Sequence, residues 1–231
     1  MIDAVIFDKD GTLFDFRSSW AAWAENLIAG LATGPDHCMV LQRVLGFDIA
    51  TKAWAQDSPV VAMTTVEIAE ILAPYVPDLT LEQLAARMDD LARKTAMIPA
   101  VDLVAVLGTL RSHGLVLGVA TNDTKAAAVA HLSAAGVLDL FDFVAGCDSG
   151  WGGKPAPGQL LAFAAQTGIA PARTAMVGDS LHDLHAARAA GMLAVAVLTG
   201  VADAATLGPH ADVVLRDIAA LAAWIDGLLP S

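Results

Sequence analysis

From about residue 101 the chain alternates helix and strand with a regularity that few folds accommodate. Helical patterns over 101–112, 124–135, 157–167 and 181–190 are interleaved with short β-rich runs at 115–120, 141–145, 174–177 and 193–198. A last strand at 212–215 and a helix over 217–228 follow. Helices of that length between short apolar strands call for right-handed crossovers into a parallel sheet covered on both faces. Gly114, Gly136, Gly168 and Gly191 each come within a residue or so of a helical run, where a left-handed C-cap favours a residue without Cβ. The expected fold class is α/β, with a Rossmann-like three-layer α/β/α core around a parallel sheet.

Residues 15–97 interrupt that rhythm. Ser18 or Ser19 is expected to start a helix reaching Leu31, Pro35 opens another to Leu45, and Thr64-x-x-Glu67 and Thr80-x-x-Gln83 are capping boxes. Between them, 46–63 reads as an irregular segment. The expected organisation is a core domain of residues 1–14 and 98–231 with an all-helical insert over 15–97, placed where it would cover the crevice as a lid.

The insert follows the first strand, Ala4-Val5-Ile6-Phe7, which runs into Asp8-Lys9-Asp10-Gly11. Two carboxylates two residues apart at the end of a buried strand are costly unless a cation or an electrophile needs them. Three more polar segments fall at or just after strand ends. They are Thr121-Asn122 after Val119-Ala120, Lys154 in Gly152-Gly153-Lys154-Pro155, and Asp179 with Asp183 after Val177-Gly178. Taken singly, each has an ordinary reading: a helix cap for Asp179 or Asp183, a strand threonine for Thr121, a solvated lysine for Lys154. Together they lie where open parallel sheets place their ligand crevice, beyond the carboxyl ends of the strands.

In this order the four segments resemble the four motifs of the haloacid dehalogenase-like hydrolase superfamily, in particular its phosphatases with a helical cap inserted after the first motif. Among capped members the pattern is similar to the phosphoglycolate phosphatases. The resemblance implies a phosphatase acting on a small phosphomonoester metabolite of that kind. Asp8 would be the nucleophile that becomes an aspartyl-phosphate, and Asp10 the acid that protonates the leaving oxygen and then activates water. A dehalogenase needs no acid at that position, so Asp10 favours phosphate chemistry. Mg²⁺ would be held by Asp8, the carbonyl of Asp10 and Asp179, with Asp183 supporting a metal water or Lys154. Gly11, Thr121, Asn122 and Lys154 would receive the phosphate. A β-phosphoglucomutase-like phosphomutase uses the same aspartate, and a non-catalytic binding module of the same fold is the third possibility.

Thirteen basic residues against 25 acidic give a net charge of −12, which disfavours nucleic acid and anionic membranes as partners. No apolar run reaches the roughly 18 residues of a membrane span, and the N-terminal residues Asp3, Asp8 and Asp10 do not suit a signal peptide. Cys38 and Cys147 lack metal-ligand spacing and are expected as reduced thiols, hence a cytoplasmic protein, monomer or homodimer. His182 and His185 are expected on an exposed helix face, Trp20 and Trp23 in the packing of the insert, and Trp54 and Trp151 either in packing or at the substrate entry. Arg17, Arg43 and Lys52 are the cations of the insert that could meet a second anionic group of the substrate.

Overall fold

A computed structural model describes residues 2–55 and 57–228. Strand β1 (Ala4–Phe7) leads into a helical segment made of α1 (Phe16–Leu31), α2 (Pro35–Leu45), a two-stranded hairpin β2 (Phe47–Asp48) and β3 (Ala53–Trp54), α3 (Thr65–Leu72) and α4 (Leu81–Lys94). The alternating part then runs α5 (Leu103–Ser112), β4 (Val116–Ala120), α6 (Lys125–Ala134), β5 (Phe143–Ala145), α7 (Gly158–Thr167), β6 (Thr174–Gly178), α8 (Leu181–Ala190) and β7 (Leu193–Val197). It closes with α9 (Ala204–Leu207), β8 (Val213–Leu215) and α10 (Leu221–Gly227).

Six strands form one parallel sheet in the order β5-β4-β1-β6-β7-β8, with β1 central between β4 and β6. Because side chains alternate along a strand, Val5 and Phe7 point to one face and Ala4 and Ile6 to the other. The first face packs on Leu103, Leu107 and Leu110 of α5, Leu132 of α6 and Leu221 and Ile225 of α10. The second packs on Leu160 and Phe163 of α7 and Leu184 and Ala187 of α8. Glycines 114, 136, 168 and 191 all have φ between +70° and +78°, which fits the left-handed turns expected of them.

The helical segment supplies most of a second hydrophobic cluster, with Phe16, Trp23, Leu27, Leu41, Ile68, Leu84 and Met88 among its members and Ala127 and Val201 joining from the rest of the chain. Burying that cluster is what lets helices of 8 to 16 residues persist away from the sheet. The chain enters and leaves this segment through neighbouring stretches, Asp15 N–H donating to Ile98 O at 2.8 Å and Ala100 N–H to Leu13 O at 3.0 Å. Both expected capping boxes form, at Thr64/Glu67 and Thr80/Gln83.

Helix α1 starts earlier than its serines suggest. Asp15 caps it, its carboxylate accepting from Ser18 N–H at 2.7 Å, because a carboxylate one turn upstream competes successfully for the free amides. The Ser19 hydroxyl instead accepts from Ile98 N–H at 3.0 Å and helps close the two connections. The segment over 46–63 contains the β2–β3 hairpin and a short 3₁₀ turn at Pro59–Val61; Gln56 lies outside the described residues. The last helix is preceded by a 3₁₀ turn at Ile218–Ala220, and residues 229–231 of the expected core lie outside the described residues. No helix among the described residues is long and apolar enough to cross a membrane. Cys38 and Cys147 are both free thiols.

Candidate active site

Asp8 follows β1 directly, and its N–H still donates to Val177 O at 2.8 Å, so its side chain emerges at the carboxyl end of the two central strands. Asp179 follows β6, the neighbouring strand. Asp183 sits in the first turn of α8, where a Ser180–Asp183 capping box fixes it: Asp183 Oδ2 accepts from Ser180 N–H at 3.1 Å and from the Ser180 hydroxyl at 2.6 Å. Carboxylate oxygens of Asp8, Asp179 and Asp183 lie within 4.8 Å of one another, and all three residues are buried.

Lys154 arrives from the loop before α7. Its Nζ donates to Asp8 Oδ1 and to Asp183 Oδ1, both at 2.6 Å. One ammonium cannot neutralise three carboxylates. Burial first, then the neighbouring Asp183 and Asp8, pushes the Asp179 carboxyl well above the usual range. Asp8 is pushed up to about 7, by burial first, with Asp183 and Asp10 adding and Lys154 opposing. Three hard oxygen donors with surplus negative charge match what a small divalent cation requires.

Two glycines make room for that carboxylate. A Cβ on Gly11, at φ +78°, would come within 2.4 Å of Asp179 Oδ2, and one on Gly200 within 1.7 Å. Gly11 therefore does more than turn the chain, and Gly200, with Thr199 whose hydroxyl donates to Gly11 O, is a member of the site that no local pattern announced.

Thr121 is buried at the end of β4, its hydroxyl oxygen accepting from Asp123 N–H at 3.1 Å. Asn122 acts as a clamp. Its side chain accepts from Lys154 N–H at 2.7 Å and donates to Lys154 O at 2.9 Å and to Ala62 O at 2.7 Å, tying the lysine loop and the helical segment to β4. Thus the structure brings Asp8, Asp10, Thr121, Asn122, Lys154 and Asp183 to one cavity of about 50 Å³, with Asp179 and Gly11 packed beneath it.

Sequence reasoning missed a second charged cluster. Lys9, 0% exposed, turns away from Asp8 and places Nζ 2.8 Å from Asp10 Oδ1, 3.1 Å from Asp123 Oδ2 and 3.1 Å from His131 Nδ1. The Asp123 contact is an ion pair without hydrogen-bond geometry, since that oxygen has no hydrogen-bond partner. Burial disfavours the Lys9 charge, but Asp10 and Asp123 more than offset it and its pKa is raised. His131 lies 2.8 Å from Ala92 O through Nε2, which assigns the proton there and leaves Nδ1 to accept from the ammonium. Burial first, then the Lys9 charge, lowers His131 to about 4, so the ring is neutral. Trp20 joins the cluster by donating its indole N–H to Asp10 Oδ1 at 2.8 Å. Its buried ring also packs edge-on against Trp23, so packing describes only half of its role.

The other tempting residues separate cleanly. His182 lines the cavity, whereas His185 is exposed and pairs with His210 at 3.2 Å. Trp54 packs on Phe16 and Phe47, and Trp151 lies against Phe143. Arg17 is exposed, Arg43 borders a separate groove beside Phe47, and Lys52 pairs with Glu25 at 3.1 Å. All three lie away from the cavity. Its roof is instead built by Trp23, Val60, Val61, Met63, Ile68 and Met88 from the helical segment.

A family model described as haloacid dehalogenase-like hydrolase matches residues 2–191. The chain is 32% identical to a phosphoglycolate phosphatase of Neisseria meningitidis over 99% of this chain and 91% of that protein. It is 35% identical to one of Chromobacterium violaceum over 95% of each. A solved structure of a predicted phosphoglycolate phosphatase from Haemophilus somnus superposes with a TM-score of 0.74 at 18% identity, covering 97% of this chain and 98% of that one.

Proposed function

We propose a Mg²⁺-dependent phosphomonoesterase working through an aspartyl-phosphate, on the premise that the chain belongs to the haloacid dehalogenase-like hydrolases and is a phosphatase. The observation that carries the mechanism is Lys154 Nζ, 2.6 Å from both Asp8 and Asp183, beside a carboxylate cluster with charge to spare.

In the first step an Asp8 oxygen attacks phosphorus, the ester P–O bond breaks, and the leaving oxygen takes the proton of the Asp10 carboxyl. In the second, Asp10 as carboxylate removes a proton from water, which attacks phosphorus. The bond to Asp8 breaks and inorganic phosphate departs. Lys154 and the Thr121 hydroxyl receive phosphate oxygens, and Lys154 offsets the repulsion between Asp8 and the dianionic substrate. Asp8, Asp179 and the Asp10 carbonyl would hold Mg²⁺, which when bound would neutralise charge on the transferring oxygens. Asp183 serves by fixing Lys154.

Residues 15–97 act as a lid on a core of 1–14 and 98–231. The cavity of about 50 Å³ is lined on one side by the helical segment, and movement of that roof admits the ester. The substrate is a small phosphomonoester metabolite, with the phosphoglycolate of the relatives' names as the first compound to assay. Asp8→Asn is expected to abolish Mg²⁺-dependent phosphate release while the fold persists by circular dichroism. Undiminished turnover in that variant would refute the mechanism.

A further inference from the structure

The cavity above Asp8 has two chemistries. Its floor holds the carboxylates of Asp8, Asp10, Asp123 and Asp183. The buried Lys9 ammonium pairs with Asp10 and Asp123, and Lys154, the one ammonium lining the cavity among the described residues, is already engaged by two short bonds to Asp8 and Asp183. Its roof, on the side the leaving group must occupy, is indole, methyl and thioether from Trp23, Val60, Val61, Met63, Ile68 and Met88. Once the phosphate has taken Lys154, a second anion on the substrate would sit among carboxylates, apolar side chains and the uncharged groups of Thr65, Ser180 and His182, with no free cation in the described lining. An anion buried without a charged partner is strongly disfavoured. The cations of the helical segment do not offset this. Lys52 is paired with Glu25, Arg43 borders another groove, Arg17 is exposed to solvent, Arg87 donates to Gly30 O, and Arg93 and Lys94 pair with Asp89 and Asp90.

We propose that the physiological substrate is the phosphate monoester of an uncharged, mainly apolar alcohol, recognised by the Trp23–Val60–Val61–Met63–Ile68–Met88 roof, and not the ester of a hydroxy acid. This rests on the phosphatase reading and departs from the phosphoglycolate of the relatives' names. Complementarity here is between apolar surfaces, so selectivity comes mainly from rejecting the charged competitor.

Steady-state kinetics of the full chain with Mg²⁺ test it, using propyl phosphate and 2-phosphoglycolate, which are near in size and differ by a carboxylate, with p-nitrophenyl phosphate as mechanistic control. The wild type is expected to show kcat/KM at least tenfold higher for propyl phosphate. Met63, 40% exposed at the rim of the roof, accepts a cation without burial. Met63→Lys is expected to shift the ratio at least tenfold toward 2-phosphoglycolate. A wild-type preference for 2-phosphoglycolate, with p-nitrophenyl phosphate hydrolysis still dependent on Asp8, would overturn the leaving-group assignment and leave the phosphatase reading standing. No Asp8-dependent release from any of the three esters would remove both.

Discussion

Lys9 and Lys154 are two buried ammoniums on either side of one strand end, and each bridges two carboxylates. Lys154 spans Asp8 and Asp183, with equal bonds of 2.6 Å. Lys9 spans Asp10 and Asp123 at 2.7 and 3.1 Å and adds the neutral ring of His131. The difference lies in which carboxylate each one governs. Lys154 stands behind the proposed nucleophile and reaches the cavity, whereas Lys9 lies wholly beneath it and fixes the orientation of Asp10, the proposed proton carrier. Charge delivered to the reacting phosphate and charge spent on holding an acid in place are thus assigned to separate lysines.

The sharpest way to break this comparison is to replace each lysine by methionine. Lys154→Met should lower kcat about 10³-fold on every ester, since it withdraws charge from phosphorus itself. Lys9→Met should lower kcat about 10- to 100-fold on alkyl phosphates. It should change the first-turnover rate of p-nitrophenolate release by less than about threefold, because that leaving group departs without a proton, while the later hydrolysis, in which Asp10 is the base, slows for every ester. Equal losses in the first-turnover release of both leaving groups would deny Lys9 its link to Asp10. Each replacement leaves buried carboxylates unpaired and should reduce unfolding stability by about 3–5 kcal/mol, as read by urea titration.

A smaller effect concerns pH. Asp8 has its folded pKa raised from an unfolded value near 4 to about 7, so it favours the folded state less and less as pH rises across that window. A divalent cation needs the deprotonated carboxylate, so the rise in Tm on adding Mg²⁺ should be larger at pH 8 than at pH 5.5. His131, lowered to about 4, contributes in the opposite sense, losing stability as pH falls below the unfolded value near 6.5. Comparing samples with and without Mg²⁺ at the same pH cancels its share. A pH-independent Mg²⁺ shift would contradict the placement of the cation against Asp8. Smallest of all, Trp20→Phe keeps an aromatic ring but removes the indole N–H from Asp10; a three- to fivefold fall in kcat with KM unchanged is expected on alkyl phosphates.

The two clusters also differ in how far the sequence disclosed them. Asp8, Asp10, Thr121, Lys154 and Asp179 each stand at a strand end or in the loop beyond one, and Asp183 in the helical turn that follows, so the alternation of elements led to the same crevice. The Lys9 cluster left no such trace. His131 lies in the last turn of α6, 122 residues from Lys9, and Asp123 reads locally as part of a turn. Gly200 reads as an ordinary loop glycine until Asp179 is packed against it. The roof was equally hidden, because Val60, Val61 and Met63 fall in a segment without periodicity.

What the sequence determined by itself was the alternation of strands and helices, the capping boxes at Thr64 and Thr80, the left-handed glycines and the set of acids at strand ends. These follow from interactions a few residues long. The tertiary structure decided where Lys9 pointed, what Asn122 clamped, that Trp20 reached Asp10, and that the cations of the helical segment stayed outside the cavity. Each of those depends on which distant surfaces share one buried volume, where unpaired charge is too costly to leave and packing leaves few arrangements that satisfy every group.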